Sequence, residues 1–201
     1  DTAAGHGERR DTLAIDWANF MSTFCPSVSW MPLPNLGEAI VDYVQQWNLD
    51  AIIFSGGNDL GTEQLRDTTE TTLLDFALRH GLKVFGVCRG LQLLQQHVGG
   101  SLDRCQSATH VGRSHPVNLR ADLLDFDAPG QATVNSYHNW AVPMDTLAPS
   151  LELLAASDDG CVEAVRHRAA PITAVQWHPE RNADATQMEL DRQLMTETLN
   201  L

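Results

Sequence analysis

Hydrophobic positions fall into runs of two kinds along the chain. Between Arg10 and Phe24, residues Leu13, Trp17, Phe20, Met21 and Phe24 recur at helical spacing and predict an amphipathic helix. Pro32-Leu33-Pro34-Asn35 breaks the pattern, and a second helix is expected from about Leu36 to Trp47, with Ile40, Val41, Val44 and Trp47 turned inward. Asp50 to Phe54 is a continuous apolar run that ends in Ser55-Gly56-Gly57. A run apolar on both faces fits a strand buried in a parallel sheet. A third helix is expected from Asp67 to His80, stopped by Gly81. Residues 84–87 form the next buried strand, which ends at Cys88; a helix starts there at once and continues to about Val98. Residues 103–131 carry no clear period. Residues 132–136, 151–157, 161–167 and 172–177 read as strands, and residues 184–198 as a last helix. Strands alternating with helices in the first half predict an α/β fold with a mostly parallel sheet and helices on both faces. The later run of strands predicts some added antiparallel strands.

Composition narrows the class. The chain has 201 residues, 43% of them hydrophobic, which suits a single domain over 1–201 with a substantial core. The formal net charge of −13 argues against nucleic acid, whose phosphates require a basic face, and fits solubility. No apolar run approaches the roughly 18 residues needed to span a bilayer, so no membrane partner is expected. Residues 1–10 hold no signal-like apolar run, although residue 1 is not Met. The cysteines at 25, 88, 105 and 161 form no C-x-x-C pair, which leads us to expect reduced thiols and a cytoplasmic setting. His110 and His115 read as loop histidines, because no third metal ligand is evident beside them. Neither a metal nor an organic cofactor is expected.

Three strand ends carry candidate chemistry. Gly86-Val87-Cys88-Arg89-Gly90 runs from a buried strand directly into a helix, the thiol counterpart of a nucleophile elbow. Glycines two residues to either side leave room for the sharp turn, and the first helical amides point toward the sulfur, favouring thiolate. The same string also fits a buried structural cysteine beside packing glycines. At the end of the last apolar strand stands Trp177-His178-Pro179-Glu180. Pro179 biases His178 toward extended geometry, and in an extended segment residues i and i+2 share a side. Glu180 can then orient His178 as a general base for Cys88, unless the string is only a loop with a surface ion pair. Ser55-Gly56-Gly57 lets backbone amides approach a ligand, so the amides of Gly57 and Arg89 are candidates for an oxyanion hole; a plain Gly-Gly turn is the alternative.

Taken together these strings resemble the class I glutamine amidotransferase superfamily. The resemblance lies in Ser55-Gly56-Gly57, residues 86–92 and 97–102, Asn135-Ser136-Tyr137-His138-Asn139 and Gln176-Trp177-His178-Pro179-Glu180, in the family's order. The branch most similar is that of the γ-glutamyl hydrolases, including the γ-glutamyl-γ-aminobutyrate hydrolase type. The resemblance implies a flavodoxin-like three-layer sandwich and a Cys88–His178–Glu180 triad. It implies that Gln92 and the Ser136, Tyr137 and His138 segment hold a γ-glutamyl head group. Gln92 on a helix surface and Tyr137 in the core are the alternatives. Shorter strings, among them Glu8-Arg9-Arg10-Asp11 and Arg66-Asp67-Thr68-Thr69-Glu70, resemble members from bacterial surface-polysaccharide clusters, one type of which hydrolyses a γ-glutamyl cytidine diphosphoramidate. Family members open with a strand before the arginine-containing loop, and residues 1–10 hold no such apolar run, so that strand is expected to be absent.

On this reading Arg9, Arg10 or Arg66 contacts an anionic leaving group; alternatively Arg66 pairs with Glu70 along its helix and Arg9 and Arg10 are solvated. Three functions compete. One is a free-standing hydrolase of a small γ-glutamyl amide. A second is a glutaminase subunit that delivers ammonia to a synthetase partner. The third is a binding module that keeps only the fold. A homodimer is a further candidate assembly.

Overall fold

The computed structural model describes residues 7–105, 110–120, 122, 124, 130–182 and 184–201. Residues 1–6, the first part of the stretch expected to hold no strand, and part of the unpatterned stretch 103–131 lie outside the described residues; residues 7–10 carry no strand element. Helix α1 (Ile15–Phe24) leads through a 3-10 turn (Gly37–Ala39) to α2 (Ile40–Gln46), then β1 (Ala51–Phe54), α3 (Gln64–His80), β2 (Lys83–Val87) and α4 (Arg89–His97). Seven strands and a helix follow: β3 (Asp103–Arg104), β4 (Val111–Leu119), β5 (Gln131–Tyr137), β6 (Trp140–Pro143), β7 (Leu151–Ser157), β8 (Cys161–His167), β9 (Ile172–Val175) and α5 (Ala185–Leu199).

The main sheet runs β1-β2-β9-β8-β7-β4-β5, with β6 paired to β8 and β3 to β6. The α/β class and the added antiparallel strands are as expected, but the balance is the reverse of a mostly parallel sheet. Only β1–β2 and β2–β9 are parallel; the other pairings among the described residues are antiparallel. The reason is connectivity, since α3 lies between β1 and β2, whereas β7, β8 and β9 follow one another through short turns that suit antiparallel pairing. Among the described residues β1 is an end strand.

Two apolar cores flank the sheet, which makes three layers. Alternation along β2 sends Phe85 and Val87 to one face and Val84 to the other. The first face packs against Trp17, Phe20 and Met21 of α1 and Leu190, Leu194 and Met195 of α5. The second packs against Ile40 and Val44 of α2, Leu73, Leu74 and Ala77 of α3, and Leu91 and Leu94 of α4. Several details differ from expectation, among them the start of α3 at Gln64 and the end of β9 at Val175. Helix α1 begins at Ile15, because Asp11 is held outside it by the backbone and side-chain amides of Asn35, at 2.9 and 2.6 Å. The second helix opens as a 3-10 turn, where Gly37 has φ +60 and its amide donates to Thr69 Oγ1 at 2.8 Å. Trp47 lies exposed just past α2 rather than inward. Among the described residues no helix is long and apolar enough to cross a membrane.

Candidate active site

Cys88 stands between β2 and α4 with φ +51 and ψ −96, a backbone conformation that non-glycine residues seldom adopt. Its amide donates to Val175 O of β9 at 2.8 Å, and its carbonyl accepts the Leu91 amide at 3.1 Å, so β9 and the helix fix the bend. The flanking glycines are required by close approach. A Cβ on Gly86 would lie 2.9 Å from Ala174 Cβ and 3.0 Å from Gly90 C, and one on Gly90 would lie 2.7 Å from Phe54 O. The elbow is thus packed onto both β1 and β9.

His178 is extended (φ −115, ψ 93), and Pro179 opens a 3-10 turn, Pro179–Arg181. That turn, rather than a continuing extended chain, carries Glu180 back to the ring, where its Oε1 lies 2.7 Å from His178 Nδ1. Both side chains are buried. Gly56 is the surface against which this pair meets the cysteine. A Cβ there would lie 2.6 Å from His178 Cε1 and 3.6 Å from Cys88 Cβ, so only glycine lets the imidazole and the elbow share the end of β1. Asn135 holds His178 by its backbone, donating to His178 O and accepting from His178 N, both at 2.8 Å. Tyr137 sets its ring edge-on to the imidazole with centroids 5.6 Å apart.

Burial pushes Cys88 up to about 12, and the hydrogen bond from the Arg89 amide only partly offsets this. The expected preference for thiolate is therefore outweighed by desolvation. Gln176, unanticipated from the sequence, points its Nε2 at Cys88 Sγ from 3.6 Å. It lies just past the end of β9, two residues before His178, in the string already singled out there.

The loop after β1 is clamped by two arginines. Arg66 donates to Ser55 O, Gly56 O and Asn58 Oδ1 at 3.0–3.1 Å and to Glu70 Oε1 at 2.7 Å. Its guanidinium lies where a Gly57 side chain would project, and Gly57 has φ +150. Arg89, 1% exposed, donates to Glu70 Oε2 at 2.9 Å, Asp67 Oδ1 at 2.5 Å and Asn58 O at 3.0 Å. Glu70 therefore joins both guanidiniums, a role sequence reasoning had not assigned. Arg66 braces this loop and pairs with Glu70, the contact named as the alternative above. Arg9 lies 3.6 Å from Glu63 and Arg10 2.8 Å from Glu8, both with exposed side chains.

The family model of peptidase C26 matches residues 3–180. The chain belongs to that family. It is a class I glutamine amidotransferase-like family, in agreement with the resemblance above. The γ-glutamyl-CDP-amidate hydrolase of Campylobacter jejuni is 28% identical to this peptidase C26 member over 87% of the chain and 82% of that protein. An anthranilate synthase of Azospirillum brasilense is 41% identical over 53% of the chain, a match that spans 14% of that much longer protein. Among solved structures, a GMP synthase-type protein of Thermoplasma acidophilum superposes with a TM-score of 0.72 at 21% identity, covering 92% of this chain and 87% of the other, which shows a shared fold. Family and relatives support amide hydrolysis as the reaction class.

The residues expected to hold the head group of a substrate of this peptidase C26 chain are placed unevenly. Tyr137 is half-exposed beside His178 and lies under the Arg181 guanidinium at 4.9 Å. Ser136 is buried and donates to His110 O at 2.7 Å, and Gln92 donates to Trp140 O at 3.3 Å, so both serve the protein's own backbone. His138 lies in a buried cluster with His110, His115 and Glu163. The two histidines read as loop residues thus have a third and a fourth group beside them.

Proposed function

We propose that the chain is a cysteine-dependent hydrolase of γ-glutamyl amides, with Cys88 as nucleophile, His178 as base and Glu180 as the group that orients it. The observation that carries this is the elbow itself: a buried thiol at φ +51 sharing the surface of Gly56 with an imidazole whose Nδ1 is fixed by a carboxylate. Because burial favours the neutral thiol, His178 takes its proton as the sulfur attacks the γ-carbonyl rather than in a prior equilibrium. The amides of Gly57 and Arg89 receive the oxyanion, the latter already directed at the sulfur. The imidazolium protonates the leaving amine, and the neutral imidazole then activates water to cleave the glutamyl thioester and release glutamate. Likeness to the γ-glutamyl-CDP-amidate hydrolase favours a γ-glutamyl nucleotide phosphoramidate as substrate.

The test is glutamate release by the isolated chain from γ-glutamyl amines and γ-glutamyl phosphoramidates. Cys88→Ser should lower turnover at least about 10³-fold, His178→Ala nearly as much, and Glu180→Gln less. Turnover surviving in Cys88→Ser would end the assignment. A second reading, a glutaminase subunit feeding ammonia to a synthetase, is favoured by the anthranilate synthase likeness. Glutaminase activity that appears only when a synthetase partner is added would select it.

A further inference from the structure

His110, beside β4, His115 within it, His138 after β5 and Glu163 in β8 converge in the antiparallel half of the sheet, and all four are at least nine-tenths buried. Glu163 Oε1 lies 3.7 Å from His110 Nδ1, 3.6 Å from His115 Nε2 and 3.8 Å from His138 Nε2. Among the described residues, none of these three nitrogens and neither oxygen of Glu163 has a hydrogen-bond partner.

The other nitrogen of each ring shows why. His110 Nε2 lies 2.8 Å from Asp159 Oδ2, His138 Nδ1 lies 2.9 Å from Trp140 O, and His115 Nδ1 lies 3.2 Å from Pro116 O. Each of those partners only accepts, so each outer nitrogen carries the proton and each inner nitrogen presents a lone pair. Three lone pairs and a carboxylate then face one another in a space shielded from solvent. One proton on Glu163 would satisfy one imidazole and leave two buried acceptors bare, at about 1–3 kcal/mol each. A cation satisfies all four together. Outer-shell acceptors that fix the imidazole tautomers are how protein metal sites are built.

We propose that His110 Nδ1, His115 Nε2, His138 Nε2 and Glu163 Oε1 bind one structural Zn²⁺. Tetrahedral bonds of about 2.0–2.2 Å set ligand atoms about 3.3–3.5 Å apart; the three spacings from Glu163 Oε1 are only a few tenths of an ångström wider, and all four ligand atoms lie within 4.8 Å of one another. Three imidazoles disfavour Mg²⁺ and Ca²⁺, which take oxygen ligands. Four protein ligands close the shell, as in structural rather than catalytic zinc sites. The ion would brace the strand end that carries Asn135 and Tyr137 against His178. Trp140 O, which accepts from His138, also accepts from Gln92 of α4, so the brace reaches the helix that starts at Cys88.

The test reads metal rather than turnover and so stands apart from the proposed reaction. The full chain is stripped with a chelator, reloaded with Zn²⁺ and measured by elemental analysis, and Co²⁺ substitution reports geometry by visible absorption. Wild type and Cys88→Ser should each hold about one equivalent, with a tetrahedral Co²⁺ spectrum and a Tm raised by added Zn²⁺. His115→Ala and Glu163→Gln should hold none. Asp159→Asn, which leaves all four ligands in place, should weaken affinity about 10- to 100-fold, and it serves if a ligand variant fails to fold. No bound metal with no change in Tm, or metal lost in Cys88→Ser, would overturn the site.

Discussion

Away from Cys88 and His178, one residue ties together two charged groups: Glu70. One carboxylate accepts from Arg66, which caps the carbonyls of Ser55 and Gly56, and from the fully buried Arg89 at the start of α4. Removing it leaves a buried guanidinium with Asp67 alone and a half-buried one without a charge partner. Breaking such a buried pair costs about 3–5 kcal/mol, and the remaining Asp67 contact sets the expectation for Glu70→Ala at the lower end. For a chain of this size that lowers Tm by about 6–12 °C. Glu63→Ala, which removes only the exposed partner of Arg9, should stay within about 0.5 kcal/mol. Thermal unfolding of both variants decides the matter, and equal small losses would mean that the clamp is ornamental. Arg66-Asp67-Thr68-Thr69-Glu70 was visible in the sequence as a string. That Glu70 serves two arginines was not, because Arg89 lies 19 residues further on and meets it only across the fold.

At the scale of elements, legibility followed hydrophobic pattern. Strands β7 and β8 match their expected bounds because β-rich apolar runs stand between turn residues. Strand β4 was unreadable for a physical reason. Residues 111–114 are exposed, Gly112 has φ +67 at a bulge, and Pro116 lies where β4 pairs with β5 alone, β7 joining from Val117. Its first buried position is then filled by His115, a polar residue where the period calls for an apolar one. Local rules fail most often where function intrudes, and the cluster of His110, His115, His138 and Glu163 sits there. A second long-range tie joins β9 to α5: Trp177 Nε1 donates to Asp191 Oδ1 at 2.6 Å, and Asn182 links the same carboxylate to Asn135. Burial pushes Asp191 up to about 7 despite those donors. A carboxyl with a raised folded pKa stabilises the fold fully below its unfolded value of about 4, and that contribution fades as pH rises through about 7. Wild type should therefore lose stability relative to Asp191→Asn between about pH 4 and 7, by an amount on the order of 4 kcal/mol at most. Denaturant midpoints of both proteins across that range test this; parallel curves would mean that Asp191 stays ionised throughout.

At the scale of the whole molecule, charge and site pull in different directions. The chain carries 26 acidic against 13 basic residues. The three arginines considered for an anionic leaving group each face a carboxylate: Arg9 meets Glu63, Arg10 meets Glu8 and Arg66 meets Glu70. Arg181 is the nearby exception, partly exposed over Tyr137, yet it too lies 3.6 Å from Glu180. A nucleotide phosphoramidate, the substrate proposed above, would therefore meet a long-range field of its own sign. Salt shortens the reach of that field from about 30 Å at 0.01 M to about 8 Å at 0.15 M. For a phosphorylated γ-glutamyl substrate, kcat/KM should rise a few-fold over this range, since screening removes the repulsion that lowers its local concentration. An uncharged γ-glutamyl amine should show almost no change, which controls for effects of salt on the enzyme itself. Steady-state rates on both substrates at the two ionic strengths are the measurement. If the phosphorylated substrate instead slows with salt, a local cationic subsite outweighs the net charge, and Arg181→Ala should then remove that dependence without altering the rate on the uncharged amine.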